Sequence, residues 1–112
     1  MRRDEEELPS ELKLQISRKK IIKFCQKWKI KELSFFGSVL RNDFHSNSDV
    51  DVLVAFEQSA GWTLFEHVQM QDELSLIFGR TVDLVSKRAI EKSHNWIRRK
   101  NILESAKVYY AT

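Results

Sequence analysis

Residues 35–56 read FFGSVLRNDFHSNSDVDVLVAF, and this stretch decides the fold. An apolar run ends there in a glycine and a serine, a polar loop follows, and two aspartates lead a second apolar run. The second run is rich in β-branched residues, which predicts a buried strand. Because side chains alternate along a strand, Asp49 and Asp51 should project from one face about 6.6 Å apart. Such a pair needs a neutralising cation, and Mg²⁺, which prefers oxygen ligands, is the natural candidate.

Gly37 and Ser38 follow the first predicted strand, residues 30–36. Glycine permits a sharp turn and the close approach of a ligand, and Ser38 is expected to begin a short helical turn through residue 41. Backbone N–H groups at such a turn, together with the Ser38 hydroxyl, suit a phosphate group. The sequence therefore places a phosphate site directly before the aspartate pair.

The stretch before residue 30 is predicted to be one helix, from an N-cap at Ser10 to about residue 29. Its apolar stripe makes Cys25 a core residue rather than a reactive thiol. Its basic residues are best interpreted as a solvated face, with nucleic-acid contact as the weaker alternative. The stripe consists of Leu14, Ile21, Cys25 and Trp28.

The second half predicts a helix at 62–78, a third strand at 81–85 and a helix at 87–100. Gly79 is expected to stop the first of these helices, and Gln71 to lie at the margin of its apolar stripe. Residues 101–112 suit a short helix or a last strand at 108–110, and both stay open. The expected core residues of the two helices are Leu64, Val68, Leu74 and Phe78, and Ile90 and Ile97.

Length and composition bound the function. With 112 residues, the chain is expected to be a single domain over residues 1–112, with 1–9 as a frayed lead-in and no separate substrate domain. No apolar run approaches the roughly 20 residues needed to cross a bilayer, and residues 1–10 do not resemble a signal peptide. A single cysteine excludes an internal disulfide, which fits the cytoplasm.

Asp83 interrupts the third predicted strand much as Asp49 and Asp51 stand before theirs. If the two strands are neighbours, three carboxylates converge and can hold two Mg²⁺ ions about 3.5–4 Å apart. Phosphoryl or nucleotidyl transfer would follow, since positioning and charge neutralisation supply most of such catalysis. The competing interpretation is that these acids cap strand ends and pair with nearby Lys or Arg.

Together, Gly37-Ser38, Ser48-Asp49-x-Asp51 and Asp83 resemble the motif of the DNA polymerase β superfamily of nucleotidyltransferases, specifically its minimal nucleotidyltransferase branch. The likeness extends over residues 10–110. It implies an α/β fold of the α+β palm type, in which a small mixed sheet packs against helices. It also implies Mg²⁺ as cofactor and a nucleoside triphosphate, usually ATP, as substrate.

The resemblance also implies roles for single residues. Asp49 and Asp51 would hold the metal ions, with Asp83 as third ligand and candidate base. The backbone at Gly37 and the side chain of Ser38 would bind the β- and γ-phosphates. Arg41 would contact the triphosphate or form a surface salt bridge. Ser48 would support the Asp49 turn within the nucleotide site. His45 would lie in a solvated loop, and His67 and His94 would lie on helix surfaces.

Proteins of this branch resemble antitoxins paired with HEPN-domain RNase toxins, which they inactivate by transferring AMP to a tyrosine. The short chain agrees, because a partner protein would have to bring the attacking hydroxyl, giving a hetero-oligomer. Two alternatives are a non-catalytic antitoxin that masks its toxin and a small-molecule nucleotidyltransferase. Direct RNA binding is the least favoured, since aromatic residues are not interleaved with the basic ones.

Overall fold

A computed structural model describes residues 17–40 and 48–112 of the chain. The predictions for residues 1–9, Ser10, Leu14, Arg41 and His45 lie outside the described residues. None of the helices in the two described ranges combines the length and apolar character needed to cross a membrane. In chain order the elements are α1 (Arg18–Lys27), β1 (Ile30–Phe36), a 3-10 turn (Gly37–Leu40), β2 (Val50–Phe56), α2 (Leu64–Phe78), β3 (Val82–Ser86), α3 (Lys87–Glu91), α4 (Trp96–Ser105) and β4 (Lys107–Ala111).

The four strands form one mixed sheet in the order β3-β2-β1-β4. β1 runs antiparallel to both β2 and β4, whereas β2 and β3 are parallel. A parallel pair needs a crossover connection, which α2 supplies. The predicted mixed sheet and the strands at 30–36 and 81–85 are thereby confirmed, and the open choice for the C-terminal residues is settled as β4 after the end of α4.

Each face of the sheet carries its own apolar cluster. The larger cluster contains Val52 and Val54 of β2 together with the buried residues of α1 and α2. The smaller cluster contains Phe36, Leu53, Ile90 and Ile102, which come from β1, β2, α3 and α4. Because side chains alternate along β2, successive residues of this strand face the larger and the smaller cluster in turn. Asp51 therefore shares the face of the smaller cluster.

The helix α1 begins at Arg18, so the prediction of one unbroken helix is wrong at Ser17, while the predicted start at Ser10 lies outside the described residues. Ser17 has extended backbone angles, φ −84° and ψ 105°, and its side chain accepts a hydrogen bond from the N–H of Lys20. A serine in this conformation caps a helix and interrupts any continuation toward the N-terminus. Cys25 is fully buried in the larger cluster, as predicted.

Two basic residues of α1 contact the rest of the fold. The Arg18 guanidinium donates to the carbonyl oxygen of Tyr109 at 3.1 Å and lies over the Tyr109 ring. The Lys27 ammonium contacts the Glu73 carboxylate at 2.9 Å. These contacts favour a structural and solvated role for the basic face over nucleic-acid binding.

Burial raises the pKa of Cys25 to about 12, so the thiol is almost wholly protonated at pH 8. We expect the native protein to stay unlabelled by iodoacetamide at pH 8 during the time in which the urea-unfolded protein is labelled completely. Mass spectrometry of the intact protein measures this directly, since Cys25 is the only cysteine. Equal labelling rates with and without urea would contradict the buried position.

The second helix starts at a capping box, in which the Thr63 N–H and hydroxyl both donate to the Glu66 carboxylate. These hydrogen bonds, the side-chain one above all, lower the pKa of Glu66. The prediction that Leu64 and Val68 belong to the core is wrong, since they are 77% and 47% exposed. Leu74 is fully buried and Phe78 packs against the larger cluster, as predicted, and Met70, which the stripe did not include, is the other buried residue of α2.

The helix predicted at 87–100 is in fact two helices, α3 and α4. Asn95 caps the second one, its side chain accepting the N–H of Arg98 at 3.1 Å, while the Ser93 side chain accepts the N–H of Asn95. Side chains that bond the backbone in this way compete with a continuous helix. Ile90 is buried as predicted, but Ile97 is 56% exposed and Ile102 takes its place in the core.

Candidate functional site

Two carboxylates lie side by side on neighbouring strands of the sheet. Asp51 of β2 and Asp83 of β3 are direct partners in the parallel register. Partners in neighbouring strands point to the same face, and the strands are about 4.8 Å apart. Both residues line a cavity of about 620 Å³, which we call the catalytic cavity after the role predicted for its two carboxylates. The prediction that the Asp83 strand lies beside the Asp51 strand is thereby confirmed.

Gly37, at the end of β1, completes the line across the sheet. It has a φ of +76°, and a Cβ at this position would overlap the Oδ2 atom of Asp51. The backbone of the predicted phosphate-binding turn therefore lies directly against one carboxylate of the pair. Only glycine permits both the left-handed backbone and this approach. The turn and the carboxylate form one continuous wall of the catalytic cavity.

Three other predicted residues lie just outside the catalytic cavity. Asp49 precedes β2, is exposed, and does not line the cavity. The Ser38 hydroxyl donates to the carbonyl oxygen of Asp49 at 3.4 Å, which ties the 3-10 turn to the start of β2. The carbonyl oxygen of Ser48 accepts from the guanidinium of Arg80 at 3.4 Å. The contacts of Ser38 and Ser48 thus hold the approach to β2.

The donor set suits a hard divalent cation. Within the two described ranges, no group of three or more His, Cys, Asp or Glu residues is arranged to hold a metal ion. Mg²⁺, however, is usually bound by one or two carboxylates together with substrate phosphates and water. Asp51 and Asp83 offer such a pair next to the Gly37 turn, so a metal ion accompanied by a nucleotide fits these residues.

One polar face of α4 was missed by the sequence analysis. Asn101 and Ser105 line the catalytic cavity together with Asn95 and Arg98 near the start of the helix. Their spacing of three to four residues places them on one side of the helix. This spacing is a signal that the sequence carries, but it was hidden by the prediction that the helix ends at residue 100.

A row of polar side chains on α2 holds the outer edge of β3. The Gln71 side chain accepts the N–H of Leu84 at 2.9 Å, and the Ser75 hydroxyl accepts the N–H of Val82 at 3.0 Å. His67 Nε2 lies 2.7 Å from the carbonyl oxygen of Leu84. These contacts are made to Val82 and Leu84, the residues on either side of Asp83 in β3. The surface role predicted for His67 is therefore wrong, because its ring is half-buried against β3.

His94 also lies elsewhere than predicted. It is exposed, but it stands in the break between α3 and α4 rather than on a helix surface. Gln71, by contrast, does lie at the margin of the apolar face of α2, where the sequence put it. Its side chain accepts a backbone N–H of the edge strand β3. A contact with a strand could not be predicted from the apolar pattern of the helix.

Replacing Gln71 by Met is expected to lower the free energy of unfolding by about 1–3 kcal/mol, because the N–H of the buried Leu84 loses its acceptor. Urea denaturation measures this loss. Gln71→Glu is the matched control, since it keeps an acceptor oxygen at the same distance along the side chain. If the two variants unfold at the same urea concentration, the hydrogen bond to Leu84 is not what stabilises this edge.

Sequence comparison places the chain among known proteins. The model of the nucleotidyltransferase domain family matches residues 18–109. A relative from Methanocaldococcus jannaschii, whose name provisionally assigns it as a protein adenylyltransferase, is 40% identical over 76 residues. The match covers 68% of this chain and 74% of that relative.

Two solved structures share the fold. A toxin–antitoxin crystal structure with AMP-PNP superposes with a TM-score of 0.67 at 23% identity, covering 87% of this chain and 75% of that one. A complex of a tri-AMPylated HEPN toxin from Shewanella oneidensis with its MNT antitoxin gives a TM-score of 0.57 at 22% identity, covering 84% and 69%. At these identities the likeness concerns the fold alone.

Proposed function

The chain belongs to the nucleotidyltransferase domain family, and from that premise we propose that it is a Mg²⁺-dependent antitoxin that transfers AMP from ATP to a tyrosine of a HEPN-domain toxin. The 40% identical relative named for protein adenylyl transfer supports the reaction type. The structures solved as toxin–antitoxin complexes, one with AMP-PNP and one with an AMPylated HEPN toxin, support the nucleotide and the partner.

The observation that carries this proposal is the line from Gly37 through Asp51 to Asp83 across three neighbouring strands. One end offers backbone N–H groups and the Ser38 hydroxyl, which suit phosphate oxygens. The middle and the other end offer carboxylates, which suit cations. A nucleoside triphosphate accompanied by Mg²⁺ presents both kinds of group over a similar span.

We assign the metal-binding role to Asp51 and Asp83, with Asp49 joining from the residue before β2. The bound Mg²⁺ would neutralise charge on the phosphate oxygens and so favour attack at phosphorus. Gly37 and Ser38 would hold the β- and γ-phosphates, with Ser48 supporting the Asp49 turn. Arg41 stays assigned to the triphosphate or a surface ion pair.

The transfer step is a displacement at the α-phosphorus of ATP. The tyrosine oxygen of the partner forms a new P–O bond, the bond from the α-phosphorus to the bridging oxygen breaks, and pyrophosphate leaves. The phenol proton must go to a base, for which Asp83 is the candidate because it lies on the edge strand of the site. The product is an AMP–tyrosine phosphodiester on the partner.

A partner that supplies the hydroxyl makes the working unit a hetero-oligomer. We also infer a cytoplasmic location, which is supported by the single cysteine being buried as a free thiol. Both inferences rest on the reaction proposed above.

The test is to incubate the purified protein with the HEPN-domain product of its neighbouring gene, Mg²⁺ and ATP labelled at the α-phosphate. We expect label on the partner, and mass spectrometry should find one or more adenylyl groups on tyrosine. ATP labelled at the γ-phosphate should leave the partner unlabelled, because that phosphate departs with pyrophosphate.

Absence of α-label on the partner would overturn protein adenylyl transfer. Label from γ-phosphate would instead identify a kinase. If the partner stays unlabelled while a set of small hydroxyl-bearing acceptors is modified, the small-molecule alternative replaces the proposal.

A further inference from the structure

A second cavity opens beside the catalytic one. This outer cavity, of about 1410 Å³, is bordered by the first turn of α2, the C-terminal half of β3 and α3, and it extends past the end of β2 to residues of β1 and β4. Asp83 and Arg98 line both cavities. The two cavities therefore adjoin at Asp83 and Arg98, whereas Gly37 and Asp51 line only the catalytic cavity.

The strand order indicates from which side of the catalytic cavity the attacking oxygen should approach. Gly37 stands at the end of β1, Asp51 on β2 and Asp83 on β3, which is an edge strand. In a displacement at phosphorus, the attacking and leaving oxygens stand roughly in line on opposite sides. With the leaving pyrophosphate held at the Gly37 turn, the attacking oxygen must come from the Asp83 side. The outer cavity adjoins this side of the catalytic cavity, because Asp83 and Arg98 line both.

The rim of the outer cavity carries an apolar surface. Leu64, at the first position of α2, lines the cavity and is 77% exposed. The neighbouring Phe65 is 69% exposed. Phe65 does not line the cavity, so the apolar contact offered at the rim is that of Leu64. Arg88 of α3, also exposed, adds a positive charge to the lining.

We propose that the outer cavity, with Leu64 on its rim, is the docking surface for the tyrosine-bearing segment of the partner protein. The proposal rests on the proposed function, because the occupant is its acceptor. The segment would pack its apolar side chains on Leu64 and extend its phenol past Arg98 to Asp83. Continuity with the catalytic cavity identifies the occupant, since the acceptor oxygen has to reach Asp83 from this side.

The test compares two glutamate substitutions on α2. Leu64→Glu places a charge on the proposed docking surface, whereas Leu76→Glu makes the same change at an equally exposed position, 83%, that lines neither cavity. We expect Leu64→Glu to raise the KM for the partner about tenfold or more. Leu76→Glu should change it less than about twofold. The affinity for ATP, measured by calorimetry without the partner, should be the same in both variants.

A photo-crosslinking amino acid at each position provides a second measurement. A crosslink to the partner from position 64 and none from position 76 is the expected result. Equal KM values for the two glutamate variants, or equal crosslinking, would overturn the docking surface while leaving adenylyl transfer intact. If wild-type protein does not label the partner at all, the proposed function fails first, so the two failures are distinguishable.

Discussion

Asp51→Asn is expected to reduce AMP transfer to the partner by about 10³-fold or more and to leave the protein folded. Asparagine keeps the size of the side chain but removes the charge that a phosphate-bound cation requires. Asp51 is directly opposite Asp83 and against Gly37, so no other described carboxylate can occupy its place. Initial rates of α-label transfer at saturating ATP measure the loss. The combined variant with Asp49→Asn should abolish labelling.

Stability in the presence of metal separates this effect from misfolding. Without metal, Asp51→Asn should unfold in a single cooperative urea transition, as the folded wild-type protein does. Mg²⁺ with AMP-PNP should raise the unfolding free energy of wild type by about 1–3 kcal/mol and that of the variant much less. Asp72→Asn is the control, since Asp72 is an exposed residue of α2 that lines neither cavity.

The same variant decides between catalysis and masking. If Asp51→Asn keeps more than about a tenth of the wild-type transfer rate, a reduction of only tenfold, the metal-binding assignment is wrong. If it transfers no AMP but still neutralises the toxin fully in cells, the antitoxin acts by stoichiometric binding.

Gly37→Ala should reduce AMP transfer by about 10²-fold, the second largest effect we expect. The new methyl group would overlap the Asp51 carboxylate, so the carboxylate has to move from its position beside Gly37. The φ of +76° adds a strain of about 1 kcal/mol for a residue other than glycine. The protein should therefore fold with modestly reduced stability and a displaced carboxylate. Transfer rates and urea denaturation of the same preparation measure the two effects.

Gly79→Ala is the matched control for the effect of the left-handed backbone on stability. Gly79, at the C-terminal end of α2, has a φ of +67°, but a Cβ there would meet nothing within 4 Å. It should lose a similar unfolding free energy, about 1 kcal/mol, and keep its transfer activity. If both alanine variants lose activity equally, the close approach of Gly37 to Asp51 is not what matters.

Several local elements could be predicted because their signals lie within a few residues of chain. The alternation of β2 and the turn at Gly37 needed no knowledge of distant residues. Gly79 as the end of α2 is likewise a local property, and its left-handed backbone confirms it. The parallel position of Asp83 could be stated only as a condition on neighbouring strands, and the sheet order meets that condition.

The errors share one cause, which is that an apolar pattern does not say what a helix packs against. Leu64, Val68 and Leu74 fit one stripe, yet of these three only Leu74 is buried, together with Met70 from outside the stripe. The helix predicted at 87–100 continued in pattern through Ser93 and Asn95, whose side chains bond the backbone and start a new helix instead. The polar face of α4 was hidden by that same misplacement.

The sequence by itself determined the motif of Gly37-Ser38 with Asp49, Asp51 and Asp83, and the resemblance of that motif to known nucleotidyltransferases implies the type of chemistry. The tertiary structure decided where the chemistry is arranged: which carboxylates are opposite each other, which glycine lies against them, and on which side a second cavity meets Asp83. The physical reason is the range of the interactions. Turns, caps and alternation arise between near neighbours in the chain, whereas strand order and burial arise from contacts between residues far apart in sequence.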